Sequence, residues 1–131
     1  MTLGAIRSKL DAARRVQQSI KGLREHENWR QKLIVHRREL SVALSDLIEQ
    51  NRVWIAPTEL KAHHRALSNS LSALRSAIAF HQASWPAVSV DPDAPAYLET
   101  VGDLRVAFDN AERHLAVLEH ADEASVPNKG D

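Results

Sequence analysis

Proline and glycine divide this chain into a few long, uninterrupted pieces. Proline occurs only at Pro57, Pro86, Pro92, Pro95 and Pro127, and glycine only at Gly4, Gly22, Gly102 and Gly130. Residues 23–56 and 58–85 contain neither, and residues 96–126 contain only Gly102. These two residue types interrupt regular structure more strongly than any other, so their absence marks continuous elements. Pieces this long exceed the roughly 3–10 residues of ordinary strands. Ala, Leu, Arg, Glu and Gln dominate them, and all five favour helix. The chain is therefore expected to be all-α.

The breaks carry their own chemistry. Ala56 precedes Pro57, and a residue in that place is pushed out of the helical region. Thr58 is placed to cap the next helix, with Glu59 in its first turn. Residues 86–95 hold three prolines and read as a loop, with Asp93 as N-cap and Pro95 just inside the helix that follows.

Within the pieces, apolar residues recur in steps of four and three. The seams are Leu33, Arg37, Leu40, Leu44, Leu47, Asn51, Trp54; then Leu60, His64, Leu67, Leu71, Leu74, Ile78, His81, Trp85; then Tyr97, Val101, Leu104, Phe108, Ala111, Leu115, Leu118. This is a heptad pattern, the signature of helices packed along their lengths. It predicts three long helices over about 26–56, 58–85 and 94–122, each about 42 Å long at 1.5 Å per residue. If successive helices fold back on one another, partner numbers sum to about 114 for the first pair and about 182 for the second, as short connections require. That register sets Asn51 against His64, Leu40 against Leu74, Leu74 against Phe108 and Trp85 against Tyr97. The expected fold is an antiparallel bundle of these three helices plus an N-terminal basic amphipathic helix over about 2–22. Residues 1–123 form one domain, from which residues 1–24 can stand apart as an arm, and residues 124–131 form a flexible tail.

Composition narrows the function. The chain has no cysteine, which excludes a disulfide scaffold, a thiolate zinc site and a cysteine nucleophile. Lys plus Arg and Asp plus Glu are 17 each, so the whole molecule is not a polybasic nucleic-acid binder. Apolar runs of about four residues, such as Val53 to Ala56, fall far short of the roughly 20 of a membrane span. The N-terminus lacks an apolar signal core, so a soluble cytoplasmic protein is expected. Glycine-rich phosphate loops and nucleophile–base motifs are absent from the sequence, and no enzymatic activity or cofactor is expected.

The neutral total hides a segregation. Residues 1–38 carry ten Lys/Arg against three Asp/Glu, and residues 91–131 carry three against ten. The basic and acidic segments either complement each other within one bundle or do so between protomers. The unfilled apolar stripe of Leu3, Ile6, Leu10, Ala13, Ile20 and Leu23 beside these cations favours the second arrangement. The expectation is a non-enzymatic assembly module whose partner is itself, as a homo-oligomer, or another helical protein. Arg7, Arg14, Arg15, Lys21 and Arg24 would dock on the acidic helix of a neighbour. A nucleic-acid or membrane-surface partner for the same arm is the weaker expectation, since aromatic interleaving is missing from residues 1–28.

Seven histidines raise a third reading, a metal- or small-ligand-binding bundle. Register brings His36 toward His81, with Glu39 and Glu99 in reach, and these four are the candidate metal ligands. The Glu-x-x-His pairs of di-metal bundles do not occur in the sequence, however, so no metal is expected. His64 opposite Asn51 reads instead as a polar layer that fixes register.

Overall fold

The computed structural model describes residues 3–125, with Lys21 and Arg24 described through their backbone only. The chain forms an all-α bundle of α1 (Leu3–Ser19), α2 (Trp29–Val53), α3 (Lys61–Ser84) and α4 (Pro95–Ser125), with no strand among the described residues. The helix starts depart slightly from expectation. A 3-10 turn over Thr58–Leu60 leads into α3, closed by the Leu60 N–H donating to the Pro57 carbonyl at 2.9 Å, so the Pro57 carbonyl begins the helix rather than the Thr58 side chain. At α4 the first helical residue is Pro95, which makes Ala94 and not Asp93 the cap position. Asp91 organises that turn, its Oδ1 accepting from the Asp93 N–H at 3.0 Å. Ala124 and Ser125, expected in the tail, belong to α4. Residues 126–131 of that tail lie outside the described residues.

The helices run up, down, up, down. α1 packs most extensively on α2, and α3 on α4, so the bundle is two helical hairpins face to face. At the break after α1, a 3-10 segment over Ile20–Glu25 and a reversal at residues 26–28 turn the chain back into α2. The N-terminal segment is thus the fourth helix of this chain's own bundle. Its stripe is filled from within: Leu3, Ile6, Leu10 and Ala13 are buried in one core with Leu40, Leu44, Leu47, Leu67, Leu71, Leu74, Phe108, Leu115 and Leu118.

A second, smaller apolar cluster closes one end. Leu23 from the first turn, Ala87 and Val90 from the proline loop, Leu33 and Tyr97 are its buried members, and Trp29 and Trp85 pack against it. Arg30 ties these pieces together: its Nη1 donates to the Ala87 carbonyl at 3.0 Å while its guanidinium lies 4.5 Å from the Trp29 ring centroid. The expected pairing of Trp85 with Tyr97 is realised edge to face at 5.7 Å.

Candidate functional site

Polar groups enter the bundle interior in two layers, and these layers differ in how well they are satisfied. One layer is complete. The Nε2 of His64 lies 3.0 Å from the Asn51 carbonyl and 3.1 Å from its Oδ1, so Nε2 carries the proton. Asn51 Nδ2 donates to Ser68 Oγ at 2.9 Å, and Ser68 Oγ donates back to the His64 carbonyl at 2.9 Å. Trp54 packs edge-on against His64 at 5.0 Å. With its donors and acceptors matched, the layer holds α2 and α3 in register as the sequence suggested.

The other layer lies between the main core and the end cluster, and it is incomplete. His81 is only 6% exposed. Its Nδ1 is 3.0 Å from Thr100 Oγ1, which itself donates to the Tyr97 carbonyl at 2.8 Å. Because the threonine proton is committed there, His81 Nδ1 must donate, which leaves Nε2 as the acceptor nitrogen. Burial, with a smaller contribution from the nearby Arg37 charge, pushes His81 down to about 4, so the ring is neutral near pH 7.

Arg37 is the exception in the interior. It occupies a seam position of α2, and its Nη2 is buried with no hydrogen-bond partner. Burial holds its pKa below the ordinary arginine value, while proximity to Tyr97 acts weakly the other way. An arginine nonetheless keeps its charge in a protein. Among the described residues no carboxylate pairs with it. Gln50 Oε1 and Trp85 Nε1 are also buried and unsatisfied, but neither residue lines the space that Arg37 faces.

That space is a cavity of about 310 Å³. Ile20, Leu23, Leu33, Leu40, Val101 and Leu104 supply its apolar walls, Trp29 and Tyr97 its aromatic ones, and Arg37, His81, Gln17 and Gln82 its polar groups. Leu98 lines it while 48% exposed, so the cavity reaches the surface beside the start of α4. All four helices contribute, and the 3-10 segment after α1 adds Ile20 and Leu23.

The neutral His81 gives the layer a pH signature. A histidine held below its unfolded value of 6.5 contributes stability that is present above that value and is lost as pH falls toward about 4. Allowing for water in the adjoining cavity, the loss is about 2 kcal/mol. Urea unfolding between pH 7 and 4 is expected to show it as an excess slope over His81→Asn. Parallel curves for the two proteins would mean that His81 is protonated in the fold.

The expected partner-binding arginines are used otherwise. Arg7 binds Glu119 through Nε at 3.2 Å and Nη2 at 2.6 Å, and also pairs with Glu112. Arg14 pairs with Asp109, and Lys9 lies 3.9 Å from Asp46. These partners belong to the same chain, so within one protomer Arg7 and Arg14 are paired by α4. The same rotation that buries Leu3, Ile6, Leu10 and Ala13 in the core turns Arg7 and Arg14 onto α4 and Lys9 toward α2. Arg15 is exposed and makes no ion pair among the described residues. The side chains of Lys21 and Arg24 lie outside the described residues.

The four candidate metal ligands do not converge. His36 Nδ1 is 2.9 Å from the Lys32 carbonyl of its own helix, Glu39 and Glu99 are exposed, and His81 faces Thr100. Among the described residues no group of three or more His, Asp or Glu side chains is placed to hold a metal ion. No helix among them is long and apolar enough to cross a membrane.

No protein-family model, curated protein or solved structure matches the chain.

Proposed function

We propose that this protein is a non-enzymatic binding bundle that holds a small apolar molecule in the cavity around Arg37. The carrying observation is the cavity itself, about 310 Å³ of mainly apolar wall with a few convergent polar groups. Sites for small ligands have this composition and occur between the helices of bundles. Binding rather than catalysis is favoured by the lining, which among the described residues holds no Ser, Thr, Asp or Glu.

The ligand size follows from volume. A dry cavity of about 150 Å³ accommodates benzene, so one of about 310 Å³ takes roughly a dozen non-hydrogen atoms. A neutral probe of that size, 1-decanol, is expected to bind with one-to-one stoichiometry by calorimetry and to change the emission of Trp29, which lines the cavity. Val101→Phe, which fills the cavity from α4, is expected to abolish both signals. Unchanged binding in that variant would place the probe elsewhere and sink the proposal.

Self-association is the second reading, on a different surface from the one first expected. Val35 and Val42, one heptad apart on α2, are 48% and 58% exposed, and Phe80 on α3 is 70% exposed. Exposed apolar side chains of this size support an interface when they are contiguous.

A further inference from the structure

We infer that the cavity's ligand is a monocarboxylate of about a dozen non-hydrogen atoms, apolar beyond its head, with the carboxylate paired with Arg37. The inference rests on the binding function proposed above and adds the chemistry of the ligand's head. A buried charge is tolerated when it is paired and hydrogen-bonded, and removing its partner is costly. Arg37 is a half-buried cation that lines the cavity, and among the described residues no carboxylate pairs with it. The missing partner is therefore an acceptor that arrives with the ligand.

The charge count selects the anion. His81 is neutral near pH 7 and Tyr97 is held in its protonated form by burial, so among the described side chains of the layer Arg37 is the one positive charge. A monoanion neutralises it, whereas a phosphate dianion would leave excess negative charge in an apolar space. The walls select the body: Leu23, Leu33, Leu40, Val101 and Leu104 offer no hydrogen bond from their side chains, so what lies beyond the carboxylate must be apolar.

Decanoate and 1-decanol share a ten-carbon chain and differ at the head, and their comparison on the wild-type chain at pH 7 tests the inference. Decanoate is expected to bind at least tenfold more tightly and to shift the Arg37 Nε–H resonance, which 1-decanol leaves in place. Arg37→Met is expected to erase the preference while retaining 1-decanol binding. If 1-decanol binds as tightly as decanoate, or the Arg37 resonance does not respond to decanoate, the carboxylate inference falls and the binding function stands. If neither molecule binds, both fall. Should Arg37→Met fail to fold, the two-ligand comparison and the resonance still decide the matter.

Discussion

Removing residues 1–24 is expected to abolish the cooperative fold. Leu3, Ile6 and Leu10 are 8%, 0% and 0% exposed, and Ala13 is 0% exposed, all in the main core. Burial of three large aliphatic side chains is worth roughly 5–9 kcal/mol, which approaches the whole stability of an ordinary domain. The loss is compounded because Leu44, Leu47, Leu115 and Leu118 share that core and would face water. Glu112, Glu119 and Asp109 would also lose their arginines, a smaller effect at a surface where screening is strong. Thermal unfolding followed by circular dichroism is expected to show no sigmoidal transition for the truncated chain. A truncated chain that stays folded at a lower oligomeric order would restore the exchanged arm and, with it, assembly as the first function.

Leu74→Ala is expected to destabilise the bundle by roughly 2–5 kcal/mol, lowering the melting temperature by roughly 8–20 °C. Leu74 is 0% exposed and shares a core with Leu40 and Phe108 from the helices on either side. Truncating it leaves a hole that three helices must close together, and helices joined by short connections cannot shift far. Val106→Ala, at a residue 64% exposed on α4, serves as the control and is expected to stay within about half a kilocalorie. A similarly small change for Leu74→Ala would mean that the seam faces elsewhere.

Breaker placement and heptad steps determined the helices, their order and their height against one another. Asn51 meets His64, and Trp85 meets Tyr97, as the numbering of a folded-back seam requires. Both follow from local physics: Pro57, Pro86, Pro92 and Pro95 fall in the connections or at a helix start, and a seam one residue out of step would expose every apolar side chain it carries. No metal-holding group forms around His36 and His81 among the described residues. Register sets height along the bundle axis but not the angle around it, and one residue of α2 spans about 100°. His36 is therefore turned off the seam toward its own helix's Lys32 carbonyl, while its neighbour Arg37 takes the interior place.

Tertiary structure alone decided the rest. The segregated charge of the two chain ends is equally satisfied within a chain or between chains, and only the reversal at residues 20–28 brings Arg7 and Arg14 onto the chain's own α4. The site was written in the sequence only as a cation on an otherwise apolar seam. By itself Arg37 reads like the polar layer at Asn51 and His64. What separates them is whether the facing helices supply partners: Ser68 and the Asn51 carbonyl complete one layer, while nothing completes the other. A cavity is a place where packing fails to fill space, and that depends on how four helices and two turns meet. The heptad pattern of one helix carries no record of it.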